Sequence, residues 1–165
     1  MILLRIFLLV LFSPLLLLVK ILGPGRHDMA CLREGHPEMK EAFAQAHATL
    51  SEFRDALASP KPDLGHFTIK AKFPAPGGGS EHCWITELEP RGSGFVGKLD
   101  NHPKDLHGLK LGSLVDVSEE MISDWGYSQA GVHRGHFTTR VLLPRMSKSM
   151  RKKVEATFGW AKLNS

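Results

Sequence analysis

The apolar period changes partway along this chain, and the change restricts the possible folds more than any other feature. Met39, Phe43, Ala46, Leu50, Phe53 and Leu57 recur at alternating steps of four and three. That spacing puts them on one stripe of an amphipathic helix about five turns long. Pro37 suits the first helical position, and Glu38 and Glu41 suit the positive end of the helix dipole. Ser59-Pro60-Lys61-Pro62 ends the helix. From residue 65 the period is two. Phe67, Ile69, Ala71 and Phe73 alternate with Thr68, Lys70 and Lys72, which is the pattern of a half-buried strand.

The strand pattern continues after the glycine-rich connection 74–80. Glu81-His82-Cys83-Trp84-Ile85-Thr86 begins the return strand, with His82 and Trp84 on one face and Cys83 and Ile85 on the other. Burying an indole removes more apolar surface than burying a thiol, so Trp84 is expected in the core and His82 at its rim beside Arg140. Phe95–Leu99 reads as a third strand, in which Gly97 marks a bulge or a close backbone approach. Ser113–Val117 reads as a fourth. Ser118 with Glu119 and Glu120 predicts a helical turn running to Trp125. His136–Leu143 reads as a fifth strand, with Phe137, Thr139, Val141 and Leu143 on one face. In the basic tail, Met146, Met150, Val154, Phe158 and Ala161 line up as the apolar side of a last helix. The expectation is an α+β fold of about five antiparallel strands, as a sheet or a small partly open barrel. An N-terminal amphipathic helix and a C-terminal helix flank it, and a membrane helix precedes it.

That membrane helix is read from residues 1–22, MILLRIFLLVLFSPLLLLVKIL. Ile2 to Leu22 is 21 residues, close to the ~20 that cross a bilayer core. Arg5 and Lys20 can snorkel to the headgroups, and Pro14 is tolerated in a lipid-embedded helix. A cleaved signal peptide is the competing reading, although Gly23-Pro24-Gly25 is a poor cleavage context. Lipidation at Cys31 lacks the apolar residue expected three positions upstream. An uncleaved anchor implies a single-pass membrane protein with its side undecided. Cleavage implies a secreted or periplasmic one. Residues 23–35 read as a linker, 36–145 as the folded domain, and 146–165 as the basic amphipathic helix.

Charge excludes one partner class. Outside residues 1–22 the chain has 19 basic and 17 acidic residues, too balanced for nucleic-acid binding. Cys31 and Cys83 belong to no C-x-x-C pair and are expected to stay unpaired. His133-x-x-His136 is the closest histidine pair, but a three-residue step on a strand points the rings apart. A turn would have to converge them, with His102 or His107 joining, so no metal or other cofactor is expected.

A series of landmarks is more informative. Phe67-Thr68-Ile69-Lys70 is followed by Glu81-His82-x-Trp84-Ile85 and Gly97-x-Leu99-x-Asn101-x-Pro103. Gly108-Leu109-Lys110-x-Gly112, Ile122-Ser123-Asp124-Trp125 and Gly135-x-Phe137-Thr138-x-Arg140-Val141-Leu142 complete it. In this order they resemble the YegJ-like family, a bacterial domain of unknown function, over roughly residues 36–145. The resemblance implies an N-terminal export or membrane segment, in keeping with residues 1–22. It carries over no catalytic residue. The family's aromatic-glycine run before the threonine reads Gly135-His136-Phe137 here.

Glu81, His82, Trp84, Asn101, Asp124, Trp125 and Arg140 are therefore the candidate pocket. Arg140 would pair with an anionic group, and His82 with Asp124 or Glu81 would handle a proton. A structural reading of the same residues has Trp84 and Trp125 filling the core, Asn101 shaping a turn and Asp124 capping or pairing. Lys148, Arg151, Lys152 and Lys153 form a candidate contact with anionic lipid headgroups. Two functions follow. One is a membrane-anchored, non-enzymatic binding or interaction module, held in lipid by residues 2–22, with a protein or a small anionic ligand as partner. The alternative is a small hydrolase-like or metal-dependent enzyme built around His82, Asp124 and Arg140.

Overall fold

A computed structural model describes residues 35–59 and 61–160. The apolar run at 1–22, Cys31 and residues 161–165 lie outside the described residues. No described helix is long and apolar enough to cross a membrane.

The first stripe forms two helices, where the spacing predicts one. They are α1 (Pro37–Ala48) and α2 (Leu50–Ala58), with Thr49 between them at φ −112° and ψ 12°. Thr49 hydrogen-bonds the Gln45 carbonyl through both its backbone N–H, at 3.1 Å, and its Oγ1, at 2.6 Å. A threonine side chain that competes for a carbonyl one turn back is a local reason for the break. The stripe survives it: Met39, Ala46, Leu50 and Phe53 are buried, while Phe43 and Leu57 are half-buried.

Six strands make one open antiparallel sheet: β1 (Leu64–Pro74), β2 (Ser80–Arg91), β3 (Gly94–Leu99), β4 (Leu114–Val117), β5 (Ile122–Gln129) and β6 (Val132–Gly135). Their spatial order is β4-β3-β2-β1-β5-β6, so β1 is central and pairs with both β2 and β5. Two more helices follow, α3 (Phe137–Leu142) and α4 (Lys148–Thr157). Gly97 marks a close approach, since a Cβ there would sit 2.6 Å from Ile85 Cγ2 and from the Thr86 carbonyl oxygen.

Two expectations fail, both in the second half. The helical turn after Ser118 covers Glu119–Met121 alone, and the chain then enters strand β5. Seven residues of β5, Ile122 to Ser128, are buried regardless of face, which removes the alternation that identifies a strand. The expected fifth strand at His136–Leu143 is instead helix α3. Its β-branched residues suggest a strand, but the Asp124 carboxylate accepts from the Phe137 and Thr138 amides at 3.1 and 2.9 Å. This cap, supplied from 13 residues upstream, fixes a helix start that local propensity does not favour.

Both faces of the sheet are covered. Ile69, Ala71, Phe73, Cys83, Ile85, Phe95 and Trp125 form the larger core with Ala46, Leu50 and Phe53. Trp84 points the other way and is buried against Val154, Phe158 and Trp160. The choice between a buried Trp84 and a buried Cys83–Ile85 pair therefore has both as its answer.

Candidate functional site

The candidate pocket residues are best read from what each one bonds. Glu81 accepts from the Lys104 amide at 2.8 Å and the Asp105 amide at 2.9 Å, which pins the loop after β3. Asn101 Oδ1 accepts from the Trp84 amide at 2.8 Å, and its Nδ2 reaches Cys83 Sγ at 3.5 Å. Trp125 donates its indole N–H to the Ala46 carbonyl of α1 at 2.9 Å and fills the larger core. His82 Nδ1 lies 2.8 Å from Ser123 Oγ, and its ring stacks on Phe43 at 5.5 Å between centroids.

Asp124 is fully buried. Besides capping α3 it accepts from Thr138 Oγ1 at 2.6 Å and from the Trp125 amide at 2.8 Å. Burial raises its pKa, opposed by the Thr138 hydrogen bond and then by the positive charge of Lys70. Lys70 Nζ sits 3.3 Å from Thr138 Oγ1, so the threonine hydroxyl bridges the cation and the carboxylate. Arg140 is exposed as a residue, yet its guanidinium is held in place. It donates to the Gly135 carbonyl at 2.8 Å and the His133 carbonyl at 3.2 Å, and lies 4.1 Å over the Trp160 ring.

The arrangement brings together part of what the sequence grouped, since the Asp124 charge acts on Arg140. His82 bonds Ser123 and stacks on Phe43, whereas Arg140 bonds the Gly135 and His133 carbonyls and lies over Trp160. Asp124 lies between them in the fold, committed to the start of α3.

A different cluster does converge, around Trp84. The His136 ring lies 5.2 Å from Trp84, and Phe158 lies 4.8 Å from His133 and 4.7 Å from His136. His133 Nδ1 and His136 Nε2 are 3.3 Å apart, because the chain turns at His136 with φ 54° and ψ 40°. This is the turn that the three-residue histidine step would need. Gly126 makes room for it, since a Cβ there would stand 2.1 Å from His136 Nε2. His102 and His107 are exposed and do not join. Among the described residues, no group of three His, Cys, Asp or Glu side chains is placed to hold a metal. The spacing of the two histidines was the available signal in the sequence. What hid their meeting was the left-handed backbone at His136.

α4 completes the surface. Ser147 caps its start by accepting from the Met150 amide at 3.3 Å, and Val154 is its buried side. Lys148, Lys152 and Lys153 are exposed, while Arg151 is half-buried.

Two curated proteins are similar in sequence. The uncharacterised protein YegJ of Escherichia coli is 28% identical over 105 residues, covering 64% of this chain and 67% of that protein. The "Putative ankyrin repeat protein" of Neisseria meningitidis is 32% identical over 79 residues, covering 48% of this chain and 31% of that protein. No solved structure matches. The family model described as "Uncharacterized protein conserved in bacteria (DUF2314)" matches residues 36–161, most of the chain and all of the sheet. This chain belongs to that family.

Proposed function

We propose that this protein is a membrane-anchored, non-enzymatic interaction module that lays the lysine face of α4 on anionic lipid. The observation that carries the reading is how the polar groups are used. Glu81, Asn101, Asp124 and Arg140 hold loops and helix starts in place, and a catalytic trio of His82, Asp124 and Arg140 would need to converge on one substrate. Lys148, Lys152 and Lys153, by contrast, carry no ion pair among the described residues and face outward from a helix that buries Val154. Such a face is attracted to an anionic bilayer by about 1 kcal/mol per lysine near the surface. Residues 2–22, as an anchor, would keep it there.

Membrane fractionation of the full-length protein tests this. The chain should stay in the pellet after a carbonate wash with its N-terminus intact. The same chain lacking residues 2–22 should still bind anionic vesicles at low salt and lose that binding in Lys148→Glu/Lys152→Glu/Lys153→Glu. A soluble chain beginning near residue 24–31 would remove the anchor. Vesicle binding unchanged in the triple variant would remove the lysine face. A hydrolytic or metal-dependent activity abolished by Arg140→Ala in a folded protein would replace the reading with the enzymatic one.

A further inference from the structure

His133 is 4% exposed and His136 is 3% exposed, and both lie under the segment that closes the second face of the sheet. With 3.3 Å between His133 Nδ1 and His136 Nε2, the neutral pair places one of its two N–H protons between the rings. The other nitrogen of His136, Nδ1, is buried with no partner. A proton beyond the two of the neutral pair therefore has nowhere good to go. It would put N–H against N–H between the rings, or an N–H with no acceptor at Nδ1.

The surroundings make that proton costlier still. His66 of β1 stacks on His133 at 6.1 Å. Lys70 of β1 lies 5.5 Å over Trp84, and Arg140 of α3 lies over Trp160. Arg134 of β6 is the immediate neighbour of His133. α4 itself carries Lys148, Arg151, Lys152 and Lys153 against Glu155 alone. The nearby carboxylate, Asp124, is already bound to Thr138 and the amides of α3.

His133 is also where the covering segment is fastened. Its N–H donates to the Phe158 carbonyl at 2.8 Å, and its carbonyl accepts from the Trp160 indole at 2.7 Å. Trp84, Val154, Phe158 and Trp160 pack as a cluster apart from the larger core. What the histidines hold can thus separate without opening the other face.

We propose that His133 and His136 form an acid-operated latch: while neutral they hold α4 and the residues to Trp160 on the sheet, and on protonation they release them, leaving the core under α1 and α2 folded. The sign follows from the direction of both shifts. Burial first, and then the charge of His66, push His133 down to about 4. Burial, followed by His133, Arg140 and Lys70, holds His136 well below the ordinary 6.5. The released segment binds protons that the closed one refuses. Closure is therefore complete above about pH 6.5 and weakens as pH falls, by up to about tenfold per pH unit for each histidine. Opening would turn Phe158 and Trp160 to solvent beside the lysine face. The proposal does not depend on membrane anchoring.

Hydrogen exchange of the full-length protein in detergent micelles, followed from pH 7.5 to 4 and corrected for intrinsic rates, tests it. Peptides within residues 148–160 should lose protection tenfold or more below pH 6.5, while those within 69–85 keep theirs. In His133→Gln/His136→Asn the loss should move at least one pH unit lower; asparagine tolerates the left-handed backbone at 136. Simultaneous loss in both regions, or an unchanged midpoint in the double variant, would overturn the latch. If the double variant does not fold at pH 7.5, the wild-type profile and His133→Gln alone separate the same two outcomes.

Discussion

Phe53 and Trp84 are both large aromatic side chains buried against the sheet, on opposite faces and among different neighbours. Phe53 meets Phe67, Phe95, Trp125 and Tyr127 within 6.5 Å, at edge-on or tilted angles. Trp84 meets Val154, Phe158 and Trp160, but also the His136 ring and the Lys70 ammonium. One face is an apolar core sealed by two helices. The other is aromatic and cationic, closed by a helix with three outward lysines. A face built from groups that can gain protons responds to its surroundings, and an apolar face does not.

The largest effect should come from the apolar face. Phe53→Ala removes a fully buried ring and should cost about 3–5 kcal/mol, from lost transfer energy and the cavity left behind. Thermal or urea unfolding measures it, and every probe should shift together. An unchanged melting temperature would mean that α2 does not seal the core, and the contrast between the faces would collapse.

Trp84→Ala should cost somewhat less, about 3 kcal/mol, because its cluster is smaller and includes the outermost helix. Its signature should be local. Proteolysis within residues 148–160 should speed up before β1 and β2 open. Uniform destabilisation of the whole sheet would show that the two faces fold as one unit.

Gly126→Ala bears on the histidine side alone. The added methyl meets the His136 ring at 2.1 to 2.4 Å, so the ring must leave its place. Overpacking of this kind typically costs about 1–3 kcal/mol. The variant should also resemble an acidified protein, with residues 148–160 exchanging readily at neutral pH. Wild-type protection there would show that the His136 ring can move without loosening the covering segment.

The same contrast explains how much was legible in the sequence. The apolar face was. The 39/46/50/53 positions, the alternation in β1, the turn into β2 and the tight approach at Gly97 all come from side chains that sort by water, and periodicity reports that sorting. The second face was harder to read because it hides polar groups by bonding them. Asp124 and Ser123 within β5 resemble surface residues until the α3 amides and the Lys70 carbonyl are seen bonding them. Thr138, Thr139 and Val141 resemble a strand until Asp124 caps them. The candidate site met the same difficulty. Glu81, Asn101, Asp124 and Arg140 stood out as polar landmarks, but which backbone groups they hold is long-range information that spacing does not contain.

His82→Ala should have the smallest effect, and it tests whether anything at this edge is more than scaffold. His82 is half-buried, and its contacts include a bond to Ser123 Oγ at 2.8 Å and a stacked contact with Phe43. Truncation would not strand Ser123, whose hydroxyl also donates to the Lys70 carbonyl at 3.1 Å. The cost should then be that of part-exposed polar contacts, on the order of 1 kcal/mol each, and below that of Trp84→Ala. Equilibrium unfolding of the two variants side by side measures the difference. Should His82→Ala prove the more damaging, the Phe43–His82 stack would be the contact that ties α1 to β2. The division between an apolar face and a titratable one would then have to be redrawn, with His82 counted among the residues that hold the fold together.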